Sequence, residues 1–267
     1  MAAEVSQERR GEAFRALHEG PPFVIPNPWD AGSAKVFAAM GFEALATTSA
    51  GFAFTLGRQD GDVTLDEVAD HTATICDATA LPVSVDLENG YGPDPEDASR
   101  AIVRAAEAGA VGGSIEDFDP DRGIYGIEHA IERVAAAVEA ARGLGFTFTL
   151  TARSENYVRG NPDLEDTIAR LRAFEEVGAD VLYAPRLPGA AEIRAIREAT
   201  SRPLNVLAGP GLPMTEIVEA GGQRVSVGGR ITWVAVNAAA AAAQQLRDGG
   251  DLPATADPAQ IIEWLSA

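Results

Sequence analysis

Lysine is almost absent from this sequence. Of the 21 lysine and arginine residues only Lys35 is a lysine, and it falls in the helix-like stretch AGSAKVFAAMG rather than at the end of a strand. Schiff-base chemistry requires a lysine amine at the reacting centre. The scarcity of lysine therefore argues against imine-forming aldolases and against pyridoxal-phosphate enzymes.

Cysteine and long apolar segments are also scarce. The one cysteine, Cys76, cannot form an internal disulfide, which fits a reducing cytoplasm. The first twenty residues lack the apolar core of a signal peptide and indicate a short amphipathic helix. The run VAVNAAAAAAQQL is too short and too polar at its end to span a bilayer. It predicts a buried, close-packed helix, and we expect a cytoplasmic protein.

Positive charge is in deficit. The formal net charge of −19 argues against nucleic acid and anionic membrane surfaces as partners, because a phosphate-binding face needs clustered positive charge. The same field repels small anions, so an anionic substrate must be held by a local arrangement of groups. With 46% hydrophobic residues, the chain can still bury a substantial core.

Short β-branched runs alternate with amphipathic stretches along the whole chain. This alternation, without a linker or a break in composition, predicts an α/β fold, a single (β/α)₈ TIM-type barrel domain over residues 1–267 with an extra C-terminal helix. A doubly wound sheet is the alternative, but IPNPWDAGSA lacks its glycine-rich dinucleotide fingerprint. The predicted strands are 23–26, 43–48, 82–86, 110–116, 146–152, 179–184, 203–208 and 224–229.

Acidic residues follow the third and fourth predicted strands, where barrel enzymes place their reactive groups. Asp86 and Glu88 come from one strand end and Glu116 from the next. Acids can also cap the following helix, and capping is our interpretation of Asp94, Glu96 and Asp97. For the first three, oxygen ligands without histidine or cysteine favour a hard cation, Mg²⁺ with Mn²⁺ also possible.

Five segments in this order and spacing, TTSAGFAFTLGRQDGD, VSVDLENGYG, GGSIED, TARSE and RVSVGG, resemble the phosphoenolpyruvate mutase/isocitrate lyase superfamily. The resemblance covers nearly the whole chain. It implies an α/β barrel that binds Mg²⁺ and a 2-oxo acid or its enolate. Members usually carry aspartate where Glu88 stands.

The resemblance also implies roles for individual residues. Asp86 would bind the metal directly, and Glu88, Glu116 and Asp60 would act mainly through the water molecules of the ion. The implied substrate contacts are the backbone N–H groups of Ser49, Ala50 and Gly51, the Ser49 hydroxyl and the Arg153 guanidinium, with Trp29 at the pocket floor and Asn205 in the seventh strand.

The loop after the fourth strand departs from the family pattern. Members that cleave isocitrate or methylisocitrate carry a cysteine-containing signature there, whereas EDFDPDRGIYGIEHA has no cysteine, so these two reactions are not expected as such. Arg122 occupies the position of a mutase lysine, and Ile124 that of an asparagine. Arg186 stands where lyases have glutamate and mutases histidine. Tyr125, near the tip of the loop, is a candidate general acid or base or packs.

The leading hypothesis is a Mg²⁺-dependent lyase that makes or breaks a C–C bond beside the enolate of a small 2-oxo acid or dicarboxylate. Oxaloacetate decarboxylase or hydrolase activity, and the C–P chemistry of phosphonomutases and phosphonopyruvate hydrolases, are the alternatives. A non-catalytic dicarboxylate-binding barrel is the third possibility. The family's usual assembly implies a homotetramer in which C-terminal helices, about 257–267 here, exchange between subunits.

Overall fold

The computed structural model describes residues 5–251 and 258–266. Within these residues eight parallel strands form a barrel, in the spatial order β1, β10, β9, β8, β7, β4, β3, β2. Between β1 and β2 the ring is closed by a backbone hydrogen bond from the Ala46 N–H to the Pro26 carbonyl, 3.1 Å long. The strands are β1 (Phe23–Ile25), β2 (Leu45–Ala46), β3 (Val83–Asp86), β4 (Gly112–Glu116), β7 (Thr149–Arg153), β8 (Val181–Tyr183), β9 (Leu204–Leu207) and β10 (Arg224–Ser226).

A two-stranded antiparallel hairpin, β5 (Phe118–Asp119) and β6 (Gly123–Ile124), stands outside the barrel directly after β4. The helices in the described residues are α1 (Gln7–Glu19), α2 (Ala31–Ala39), α3 (Ser49–Thr55), α4 (Leu65–Asp77), α5 (Pro95–Glu107), α6 (Ile127–Arg142), α7 (Leu164–Glu176), α8 (Ala190–Ala199), α9 (Met214–Glu219), α10 (Arg230–Arg247) and α11 (Ala259–Ser266).

Side-chain caps start several of the barrel helices. The Thr64 hydroxyl accepts from the Glu67 N–H, and the Glu67 carboxylate accepts from the Thr64 N–H in return, which satisfies two donors that a helix start leaves free. Asp163 accepts from the Asp166 N–H. Asp94 is the N-cap residue of α5, Pro95 follows it as the first residue of the helix, and the Asp97 carboxylate accepts from the Asp94 N–H. The capping interpretation of Asp94 and Asp97 is confirmed.

Helix α1 covers the amino-terminal end of the barrel. Phe14 is completely buried, and Gln7 donates to the carbonyls of Ala106 and Ala110. A side chain at Gly11 would meet the Thr147 carbonyl oxygen at 2.2 Å, so glycine is what lets the helix approach this closely. Closing this end leaves the opposite, carboxyl end of the strands as the open face.

The barrel prediction is confirmed, and all eight predicted strands are present, each of them shorter than predicted. The sequence did not predict the β5–β6 hairpin or the short helix α3. No helix within residues 5–251 and 258–266 combines the length and apolarity that crossing a membrane would need.

The prediction for the small-residue run was wrong. Of the residues of α10, only Thr232 is buried, while Trp233 is 41% and Val234 69% exposed. Helix α11 packs against α2 of the same chain, yet Ile261 and Ile262 remain exposed. Residues 257 and 267 of the predicted C-terminal helix lie outside the described residues.

Candidate active site

The carboxyl ends of β3, β4 and β7 bring together two acids and an arginine that are far apart in sequence. Parallel pairing sets Asp86 beside Ser114 and Glu116 beside Arg153. The Arg153 guanidinium lies 2.9 Å from Asp86 Oδ1 and 2.9 Å from Glu116 Oε1. Neighbouring parallel strands end at the same edge, which is why these residues meet at the open face.

The Asp86 carboxylate is oriented by groups from strand β4 and from the start of helix α3. Its Oδ1 accepts from the Ser114 hydroxyl at 3.3 Å, and its Oδ2 from the Ser49 N–H at 3.4 Å. The backbone N–H of Asp86 donates to the Thr47 hydroxyl at 2.9 Å. The side chain keeps 18% of its surface exposed, so it remains accessible to a ligand.

Two further charged side chains complete this network. Arg153 also lies 2.9 Å from Glu155, and Arg159 lies 3.3 Å from both Glu116 and Glu155. Burial opposes the charge of Arg153, but the carboxylates of Glu116, Glu155 and Asp86 raise its pKa well above the ordinary value. Arg153 is therefore charged, and its charge is already balanced by three carboxylates.

A second group of acids lines an outer cavity of about 460 Å³ next to the strand ends. Burial, followed by the charges of Asp86 and Asp60, raises the pKa of Glu88 to about 7. Asp60 is exposed overall, but it lines the cavity, and its carboxylate forms a hydrogen bond with the Ser49 side chain. Partial desolvation, and then the charge of Asp86, raise the pKa of Asp60 against that hydrogen bond. The acids here carry more negative charge than the neighbouring cations offset.

The backbone is strained where this outer cavity begins. Glu88 and Tyr91 have φ angles of 47° and 61°, a region that residues other than glycine seldom occupy. The Tyr91 hydroxyl donates to Glu88 Oε1 at 3.0 Å. Such strain persists only where surrounding structure enforces it, and it concentrates at functional sites.

The predicted carboxylate-binding segment forms the first turn of α3. Thr48 begins the helix, its hydroxyl accepting from the Gly51 N–H at 3.4 Å, and Ser49 N–H points at Asp86. Trp29 lies behind this turn, because a side chain at Gly51 would meet its Cβ at 3.1 Å. Its ring contacts Phe37, and it lines neither the outer cavity nor the inner one described next.

An inner cavity of about 60 Å³ lies within the barrel. Asp86 and Arg153 line one part of it, and the predicted substrate residue Asn205 lines another. The Asn205 amide donates to the Ser226 hydroxyl at 3.0 Å. At roughly 10–15 Å³ per water, the cavity has room for a few waters or for part of a small acid.

Two predicted catalytic residues of the loop, Arg122 and Tyr125, line neither cavity themselves, although both contact Asp119, which lines the outer one. Arg122 is exposed in the hairpin turn, and its backbone N–H donates to Asp119 Oδ1 at 3.0 Å. Tyr125 was predicted near the tip of the loop, but it lies at the base of the hairpin and is buried. Its hydroxyl donates to Asp119 at 3.1 Å, and the Arg133 guanidinium lies over its ring, with Cζ 4.9 Å from the ring centroid. Tyr125 is therefore packed and hydrogen-bonded at the base of the hairpin, and a catalytic role for its hydroxyl stays a prediction.

The oxygen-rich composition of the site fits a hard divalent cation. Carboxylates crowd together without histidine or cysteine, and a cation would relieve both the burial of Glu88 and its repulsion by Asp86 and Asp60, the two causes that raise its pKa. Within the part of the chain that the structure describes, no three such side chains already converge as a ligand set. One direct ligand, Asp86, with other acids acting through water, needs no such convergence.

Sequence reasoning missed several residues of the site. Arg159 is the fourth residue after Glu155 and contacts both Glu155 and Glu116, but its position in the chain gave no signal. Tyr91 could have been noticed, since it stands in the acidic stretch ENGYG. Tyr183 and Arg224 line the inner cavity, and their strands were predicted, but not the direction of their side chains.

Comparison with known proteins agrees with this geometry. A family profile described as phosphoenolpyruvate phosphomutase matches residues 14–247. The chain belongs to this family. A crystal structure described as a lyase/mutase from Burkholderia cenocepacia is 50% identical, covers 98% of this chain and 97% of its own, and superposes with a TM-score of 0.94.

Two relatives that carry the name of an activity are less similar to this chain. The 2-methylisocitrate lyase of Escherichia coli is 31% identical over 206 residues, which are 73% of this chain and 68% of that protein. The oxaloacetate decarboxylase of Rhodopseudomonas palustris is 30% identical over 228 residues, 82% of this chain and 77% of that protein. The superfamily and the lyase-like enzyme class that the sequence predicted are confirmed for this phosphoenolpyruvate phosphomutase family member.

Proposed function

We propose that this family member is a Mg²⁺-dependent lyase that breaks or forms a C–C bond beside the carbonyl of a small 2-oxo acid or dicarboxylate. The observation that carries the proposal is the Asp86–Arg153–Glu116 cluster at the open end of the barrel, beside both cavities. When bound, Mg²⁺ supplies positive charge that stabilises an enolate oxygen.

The residues of the chain hold and orient the reactants. Asp86 is the group that would bind the ion directly, with Glu88, Glu116 and Asp60 around it. Arg153 places a guanidinium beside Asp86, where a substrate carboxylate can contact it. In the first turn of α3 the Ser49 N–H donates to Asp86 and the Gly51 N–H to Thr48, so a substrate carboxylate would bind the N–H groups of residues 49–51 in exchange for these contacts.

Decarboxylation or hydrolysis of an oxaloacetate-like acid is the second candidate. The similarity to an oxaloacetate decarboxylase favours it, and so does the hairpin, which holds no cysteine to serve the isocitrate-type cleavage. C–P chemistry loses support, because Arg122, its expected cation, is exposed in the hairpin turn. A non-catalytic binding barrel is the least favoured reading.

Substitution of Asp86 tests the proposal. Asp86→Asn keeps the size of the side chain but removes its charge, so we expect Mg²⁺-dependent turnover of 2-oxo acids to fall at least about 100-fold. Substrate loss can be followed by NMR and Mg²⁺ binding by calorimetry. Asp70→Asn, an exposed acid on α4, is the matched control. Unchanged turnover together with unchanged Mg²⁺ affinity in Asp86→Asn would refute the assignment.

We also infer a cytoplasmic homo-oligomer, a tetramer in which C-terminal helices exchange between subunits, with neither nucleic acid nor membrane as a partner. The exposed apolar side chains of α10 and α11 support the assembly, because a lone subunit would leave them in water. The single cysteine and the net charge of −19 support the location and the absence of such partners.

A further inference from the structure

Arg224 is a buried cation without a counter-ion. It begins β10, is only 5% exposed, and lines the inner cavity together with Asp86 and Arg153. Within residues 5–251 and 258–266 it forms no ion pair. A charge buried in this way is costly unless another group balances it.

The groups that Arg224 contacts are all neutral. Its Nε donates to Asn205 Oδ1 at 2.8 Å, and Nη2 donates to the Thr151 hydroxyl at 2.9 Å. Nη1 lies 3.2 Å from His18 Nε2. His18 Nδ1 lies 2.8 Å from the Phe14 carbonyl, so the proton belongs on Nδ1 and Nε2 accepts from Arg224.

The charge of Arg224 persists at neutral pH. Burial lowers its pKa to about 10, still well above 7. His18 cannot compete for positive charge, because burial and then the neighbouring Arg224 lower its pKa to about 3. A guanidinium has five N–H groups, and the three contacts above leave two without an acceptor in the described residues. Arg224 lines the inner cavity, so an acceptor for these N–H groups can lie there.

The other arginine of the cavity, Arg153, is paired with Asp86, Glu116 and Glu155, and in the proposed function it contacts the first carboxylate of the substrate. We propose that Arg224 is a specificity-determining residue at the floor of the substrate site, where it binds a second negatively charged group of the substrate and so selects dicarboxylates over monocarboxylates. This inference rests on the proposed function, because it concerns the substrate of the same site.

Substitution of Arg224 with paired ligands tests the inference. Malonate and 3-hydroxypropionate have the same chain length but differ by one carboxylate. In the presence of Mg²⁺, Arg224→Met should weaken malonate binding at least about tenfold, and 3-hydroxypropionate binding less than about threefold, by calorimetry. Arg142→Met, which removes one exposed arginine at a distance from the cavity, should change neither. Equal losses for both ligands in Arg224→Met would overturn the inference.

Two further measurements cover poor folding of Arg224→Met and failure of the proposed reaction. Arg224→Lys keeps the charge but not the planar shape of the guanidinium. It should therefore still weaken the binding of malonate more than that of 3-hydroxypropionate. Equal losses of affinity for the two ligands in Arg224→Lys would count against the inference. The wild-type protein could show no Mg²⁺-dependent turnover and still select malonate through Arg224. This result would contradict the proposed lyase activity and support the Arg224 site. Turnover without that selectivity would do the reverse.

Discussion

Glu88 illustrates how neighbouring charges set the properties of one side chain. The family usually carries a shorter aspartate at this position, and here the longer side chain accepts from the Tyr91 hydroxyl. Burial and two nearby acids raise its pKa to about 7. In the metal-free protein the ionised carboxylate therefore opposes folding.

The pH dependence of stability should expose this opposition. A carboxyl whose pKa is 4.5 when unfolded and about 7 when folded retains its proton longer in the folded state. The contribution of this carboxyl to the unfolding free energy is therefore fully present below pH 4.5 and is lost as the pH rises through about 7. We compare the unfolding free energy of Glu88→Gln with that of wild type in EDTA. This difference should favour the variant by about 1–2 kcal/mol more at pH 8 than at pH 4.5. The full effect is larger, but partial exposure of Glu88 reduces it.

Chemical denaturation at the two pH values measures this difference. Glu43→Gln, which removes an exposed acid in the loop before β2, is the control and should show the same pH dependence as wild type. A constant difference between Glu88→Gln and wild type across this range would contradict the raised pKa.

At the scale of elements, the β5–β6 hairpin is held by one aspartate. Asp119 Oδ1 accepts from the N–H groups of Asp121 and Arg122, at 2.9 and 3.0 Å, and Oδ2 accepts from the Tyr125 hydroxyl. The Arg159 guanidinium lies 3.6 Å from the centroid of the Phe118 ring. The hairpin therefore has defined contacts with the site, although the loop lacks the family's lyase signature.

The role of Tyr125 can be decided by removing its hydroxyl. Tyr125→Phe loses one buried hydrogen bond, so we expect a loss of about 1 kcal/mol in unfolding free energy. Because the hydroxyl already donates to Asp119 and the Tyr125 side chain lines neither cavity, kcat should stay within about threefold of wild type. Denaturation and steady-state kinetics measure the two effects. A large loss of kcat with unchanged stability would restore Tyr125 as a catalytic acid or base.

At the scale of the whole molecule, α10 is the clearest sign of a partner subunit. Its alanine-rich sequence suits close packing, yet in the single chain only Thr232 is buried. The exposed apolar residues Trp233 and Val234 would be covered if α10 packs against another copy of the chain.

A charge on this surface should weaken the assembly. Val234→Glu would place a carboxylate in the buried interface, so the proposed tetramer should dissociate to smaller species at micromolar concentration. Light scattering measures the mass. Val103→Glu, a similar change at an exposed valine on α5, should leave the assembly intact. A wild-type monomer would contradict the proposed tetramer.

The sequence alone determined the order of strands and helices and the acids that end β3 and β4. Local periodicity and capping residues are enough for both, as Asp94 and Asp163 show at the starts of α5 and α7. The five segments shared with the superfamily also indicated the enzyme class. What this information lacks is which distant residues meet.

Only the tertiary structure decided which residues far apart in sequence contact one another. It placed Arg153 among three carboxylates, gave Arg224 no ion pair within the described residues, and paired the Tyr125 hydroxyl with Asp119. Arg122 and Tyr125 look alike in sequence as polar residues of one loop, yet one is exposed and the other buried. Strand register and hairpin geometry fix such directions, and neither is encoded in spacing along the chain.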